Sequence, residues 1–148
     1  MIHTEFVKKA LHELEKSDFG PPDLTKEDVA LLYSLGFSLY QTGDLYQAEI
    51  IFRRLVVAES LEKKYWWAFG AVLQAKQDYQ NALTAWSMCC LLDEENPHCH
   101  FHAAECFLSL KHIPEALKAL SASKERCSES EEPLKQKILV LEQLWSTK

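Results

Sequence analysis

Four columns of residues in this chain recur at a single spacing. Gly36, Gly70 and Ala104 stand 34 residues apart, and so do Ala48, Ala82 and Ala116. Phe52, Trp86 and Leu120 form a third column, and Leu39, Leu73 and Phe107 a fourth. Small residues at a fixed period mark places where two helices approach closely, and the large apolar residue four positions after each alanine fills the adjoining hole. A unit of this length is one helical hairpin. It cannot bury its apolar face alone, so successive hairpins must stack on one another.

A small residue in the first helix, an alanine twelve positions on and a large apolar residue four beyond it make up the tetratricopeptide pattern. The expected fold is therefore all-α: three tandem helix pairs in a short superhelical solenoid, with an amphipathic N-terminal helix and a C-terminal capping helix. With 148 residues and 47% apolar content, the chain has the size of one domain. Its organisation reads as residues 1–24 (N-terminal helix and Gly-Pro-Pro linker), 25–127 (three repeats) and 128–148 (acidic linker and capping helix).

Only four glycines and five prolines interrupt the chain, so each break is informative. Thr25 and Asp28 form a capping box that starts a helix running to Gln41, and Gly43 takes positive φ in the turn before a partner helix, Leu45 to about Ala58. The second pair is expected at Lys63–Ala75 and Tyr79–Leu91. Pro97 and Pro114 fall in the first turns of the third pair, which ends at Leu110 and about Arg126. Pro133 to Trp145 is the terminal cover, with Leu134, Ile138, Leu141, Leu144 and Trp145 on its apolar face.

At the N-terminus, Ile2, Phe6, Val7, Leu11 and Leu14 share one helical face. That stripe covers either the flank of the first repeat or the same stripe on a second molecule, which would make the chain a homodimer.

The formal charge of −6 works against attraction to a phosphate backbone or an anionic membrane. Neither nucleic acid nor stable membrane association is expected. The five cysteines match no disulfide framework and fit a reducing cytosol. Cys99, His102 and Cys106 are spaced for one helical face and are the one constellation suited to zinc, but packing of small apolar thiols is the stronger reading. No metal or cofactor is expected. The chain contains no phosphate loop or nucleophile elbow, and its carboxylates read as helix-surface or cap residues, so no enzymatic activity is expected.

The first helix of each pair lines the concave face of such solenoids. The helical period places Tyr33, Phe37 and Tyr40 there in the first pair, Lys64, Trp67, Ala71 and Gln74 in the second, and His98, Phe101, Glu105 and Leu108 in the third. So many aromatics on one face point to a groove for an extended peptide with hydrophobic anchors, unless the terminal helices fold over it. Tyr33 and Phe37 stand where a carboxylate clamp would need a cation and an amide, so capture of a C-terminal carboxylate is not expected.

Leu32-Tyr33-Ser34-Leu35-Gly36-Phe37, Tyr40-Gln41-Thr42-Gly43 with Ala48, and Phe101-His102-Ala103-Ala104-Glu105-Cys106 together resemble the class II chaperones of bacterial type III secretion systems. The resemblance covers roughly Leu24 to Arg126. It implies a non-enzymatic chaperone of the bacterial cytoplasm that holds an extended segment of hydrophobic translocator proteins in the concave groove and keeps them soluble and apart before export. Carried onto this sequence, the groove takes Tyr33, Phe37 and Tyr40, with Leu45 and Met88 where the family often has tyrosine. His102 either edges the site or packs. The alternative is a generic repeat scaffold that binds peptides or folded partners.

Overall fold

The computed structural model describes residues 24–146, which contain seven α-helices and no strand. They are α1 (Lys26–Gln41), α2 (Leu45–Ala58), α3 (Lys63–Ala75), α4 (Tyr79–Leu92), α5 (Pro97–Ser109), α6 (Ile113–Arg126) and α7 (Glu132–Ser146). The helices expected within these residues form, with ends displaced by a residue at most. The N-terminal stripe of Ile2, Phe6, Val7, Leu11 and Leu14 lies outside the described residues.

The chain divides into two compact units, one ending at Lys76 and the other beginning at Gln77. The first holds α1 to α3. Thr25 caps α1 through the expected box, its hydroxyl accepting from the Asp28 amide while the Asp28 carboxylate accepts from the Thr25 amide. Helices α1 and α2 meet at Gly36. A Cβ added there would lie 2.8 Å from the Phe52 ring and 3.0 Å from Ile51 Cγ2, so only glycine permits this approach. Around the contact, Val29, Ile51, Phe52, Leu55, Tyr65 and Val72 form one core, flanked by Leu35 and Leu39. On α2 the buried Glu49 carboxylate accepts from Arg53 at 2.6 Å and from Lys76 at 3.0 Å, which ties α2 to the residue that ends α3. Two cations offset the desolvation of that carboxylate.

In the second unit, Phe101, Ala104, Leu120, Leu134 and Ile138 form a core between α5, α6 and α7. Leu141 packs against it, whereas Leu144 is half exposed and Trp145 lies beneath the Lys111 ammonium, 5.4 Å from the ring centre. The terminal helix therefore covers its neighbours with its first three turns. Its entry is a short 3₁₀ turn, Glu129–Glu131, capped by Ser128. Hydrogen bonds from the Ser128 amide and hydroxyl, with His98 at 3.1 Å, hold the Glu131 carboxyl below the usual carboxylate range. A buried Ser123 hydroxyl donates to the Pro97 carbonyl at 2.7 Å and joins α6 to the start of α5.

A fifth column appears only in the backbone. Gly43, Gln77 and Lys111 are 34 residues apart and all adopt left-handed φ, of 86°, 66° and 64°. Each follows the residue that ends a first-of-pair helix, where the chain must reverse into the next one. Nothing lies within 4 Å of a Cβ at Gly43, so its cost of substitution is conformational, whereas at Gly36 it is steric.

Gly36→Ala should lower stability by roughly 1–3 kcal/mol through overpacking. Gly43→Ala should lower it by about 1–2 kcal/mol through the left-handed backbone, and Gln77→Gly should leave stability equal or raised. Urea denaturation midpoints check all three, and a Gly36→Ala chain as stable as its parent would contradict the close approach.

Candidate functional site: an aromatic face on the first unit

Some side chains on α1 are not absorbed by the core. Phe37 is 46% exposed and Tyr40 is 37% exposed. Tyr33, one turn before Phe37, is half-buried and anchors the row: its ring centre lies 6.5 Å from Phe37, 6.1 Å from Phe52 and 5.5 Å from Tyr65. The Gly36 contact, through Phe52, thus supports the ring from which the exposed aromatics extend. Leu45 is partly buried against the same core and serves as its edge.

Helix α3 supplies the neighbouring wall. Its Lys64 ammonium sits 5.3 Å from the Tyr33 ring centre and 5.4 Å from that of Tyr65, within cation–π range of both. Trp67, Ala71 and Gln74 follow along α3, each partly exposed. Trp66 turns elsewhere, donating its indole N–H to the Ser60 carbonyl at 2.7 Å. The face that results combines large apolar area with one cation and the Tyr40 hydroxyl, a composition suited to an extended segment with apolar anchors.

Tyr65 belongs to this constellation and was not among the residues singled out from the sequence. It is nearly fully buried, and burial, with Glu59 and Glu62 nearby, raises its phenol above the ordinary range. The available signal was the run Tyr65-Trp66-Trp67, three aromatics of which a helix can show only some on any one face.

The expected site residues of the second unit are placed differently. His102 is partly buried, stacks on Trp86 with ring centres 4.5 Å apart, and pairs through Nδ1 with Glu105 at 2.8 Å. Phe101 is 7% exposed and lies in the core beneath α7, because α7 brings Leu134 and Ile138 onto that side of α5. Leu108 is buried as well, while Met88 and Glu105 are partly exposed and His98 faces Glu131. Cys99 and Cys106 are fully buried, and burial, with Glu105 nearby, pushes the Cys106 thiol up to about 12. Neutral buried thiols pack as small apolar groups. Among the described residues no cluster of three or more His, Cys, Asp or Glu is arranged to hold a metal, and no helix is long and apolar enough to cross a membrane.

A protein-family model described as anaphase-promoting complex, cyclosome, subunit 3 matches residues 41–123, over half of the chain. The fold and this match define the chain as a tetratricopeptide-type helical-repeat protein and a member of that model's family. The low calcium response locus protein H of Yersinia pestis is 30% identical over 110 residues, 74% of this chain and 66% of that protein, so the chain spans just under two thirds of this relative's length. Among solved structures, PcrH in complex with the chaperone binding region of PopD is 28% identical, with a TM-score of 0.77 over 84% of this chain and 95% of that one. The type III secretion translocator chaperone SycD of Yersinia enterocolitica is 27% identical, with a TM-score of 0.78 over 84% of this chain and 88% of that one, and it is also known in an alternative dimer. Within the helical-repeat proteins, its structural neighbours are class II translocator chaperones of type III secretion systems.

Because the folded Tyr65 phenol keeps its proton to higher pH than an unfolded one, its contribution to stability should fall as pH rises through and above the ordinary phenol range. Tyr65→Phe should remove the last-titrating phenol from an absorbance titration at alkaline pH and flatten that fall. Titration of all tyrosines in one ordinary step would contradict the buried position.

Proposed function

We propose that this protein is a chaperone of the bacterial cytoplasm that binds an extended segment of hydrophobic translocator proteins and keeps them soluble and unassembled before export by a type III secretion system. The observation that carries this reading is the exposed Phe37 and Tyr40 row beside Tyr33 and Lys64, on a chain whose relative PcrH is known with the chaperone binding region of PopD. The client segment contacts Tyr33, Phe37, Tyr40 and Leu45 on one side and Lys64, Trp67, Ala71 and Gln74 on the other. Met88, His102 and Glu105 of the second unit offer a separate set of polar and apolar contacts, and Phe101 and Leu108 act from beneath, as packing.

Burial of apolar anchors is worth roughly 25 cal/mol per Å², and ordering an extended client offsets much of that gain. The affinity that results is moderate, which suits a client that must be handed on. In this reading the activity is binding, without catalysis or cofactor. The proposal divides the chain into residues 1–24 for homodimerisation, 25–127 for client binding and 128–148 as cover, in keeping with the dimer known for SycD.

A combined Phe37→Ala and Tyr40→Ala variant should keep parental helicity by circular dichroism yet bind at least about tenfold more weakly, as expected when two anchor residues are truncated. The readout is the soluble fraction of a co-expressed hydrophobic translocator, with calorimetry on its chaperone-binding segment. A folded double variant that rescues the translocator as well as its parent would remove the face from the proposal. Rescue of no translocator by the parent would instead favour a generic scaffold.

A further inference from the structure

Of the residues that make up the client face on the first unit, Lys64 alone carries a charge. It is exposed, and among the described residues no carboxylate pairs with it, whereas Arg53, Lys76 and Lys124 each meet one. Its ammonium is held instead over the Tyr33 and Tyr65 rings, at 5.3 and 5.4 Å from their centres. Ring faces attract a cation without neutralising it, so the charge is positioned but not spent. Helix stability does not select a lysine at this place. Lys64 stands in the first turn of α3, which has no acidic residue, and the positive end of the helix dipole disfavours a cation there. Nor is the charge needed to cover the rings, since the aliphatic stem of the side chain does that.

We propose that Lys64 makes this face selective for extended segments that carry a carboxylate side chain close to an apolar anchor, an inference that rests on the client-binding reading of the face. The anchor seats against Phe37 and Tyr40, and the carboxylate accepts charge-assisted hydrogen bonds from the Lys64 ammonium on its solvent side. The spacing follows from the rings. Tyr33 lies 5.3 Å from the ammonium and 6.5 Å from Phe37, so ammonium and Phe37 are no farther apart than those lengths laid end to end, about 12 Å. An extended chain rises about 3.3 Å per residue, which puts the carboxylate roughly two to four residues from the anchor. A neutral residue at that point forgoes the charge-assisted bond, and a cationic one is repelled, so one side chain supplies both attraction and rejection. The formal charge of −6 gives an acidic segment no general attraction to this chain, and Glu59 and Glu62 act on the adjoining Tyr65. The preference is therefore confined to direct contact with Lys64.

The test selects a display library of random peptides, each of about twelve residues, on the full-length chain. Enriched peptides are then measured by calorimetry beside counterparts in which the acidic residue is exchanged for glutamine or lysine. Enriched sequences should pair a large apolar residue with an aspartate or glutamate at the stated spacing. Exchange for glutamine should weaken binding about three- to tenfold at low salt and by less at high salt. Lys64→Met keeps the stem over the rings and removes the charge, so it should bind the glutamate and glutamine peptides equally. Lys64→Glu should prefer the lysine counterpart. Lys137→Met removes the same charge from an exposed position on α7 and should leave the preference intact. Circular dichroism checks that each variant is folded. Apolar peptides enriched without an acidic residue, or a glutamate preference that survives Lys64→Met, would overturn the proposal while leaving the client face in place. Peptide binding that survives the combined Phe37→Ala and Tyr40→Ala change would remove the face itself, and the proposal with it.

Discussion

The contact of Gly36 with the Phe52 ring is the constraint from which the first unit is built. With no side chain at Gly36, α2 can press its largest apolar residue against the α1 backbone, and the two helices take up a separation that any Cβ would prevent. Phe52 in turn supports Tyr33, and Tyr33 touches both Phe37 and Tyr65. Core packing and the exposed aromatic row are therefore one continuous set of rings. Stability and the shape of that row cannot be tuned independently, since displacing Phe52 would also displace Tyr33.

Charge is used sparingly around this face. Lys64 is held over two tyrosine rings and brings a cation to an apolar surface without burying it, because the ring faces replace part of its hydration. On α2, by contrast, the buried Glu49 carboxylate meets two cations, one of them at the residue that ends α3. The two arrangements have opposite consequences. The Glu49 group is satisfied internally and fixes α3 in place, whereas Lys64 keeps donors directed toward whatever approaches the aromatic row.

Much of the helical plan was legible in the residues because it depends on local chemistry repeated at a period. The Thr25–Asp28 box, the glycine at position 43 and the prolines at 97 and 114 each mark a helix end by a constraint that acts within a few residues. The turns at Gln77 and Lys111 were not legible in the same way. Neither residue favours left-handed φ, and only the periodic geometry of the hairpins, which repeats the backbone of Gly43, imposes it on them. Tyr65 escaped notice for a related reason: a run of three aromatics does not say which of them turns inward.

The sequence by itself determined the repeat period, the helix boundaries and the presence of an aromatic face on α1, because spacing and residue size dictate which side chains can lie between packed helices. Tertiary structure alone decided how that face is completed. It brought Tyr65 and Lys64 of α3 against Tyr33, drew Phe101 under α7 and away from solvent, stacked His102 on Trp86, and set His100 beside the Cys90 thiol. These outcomes depend on how helices close in space are rotated against one another. A helical period fixes which residues share a face, but the neighbouring helix decides whether that face is covered.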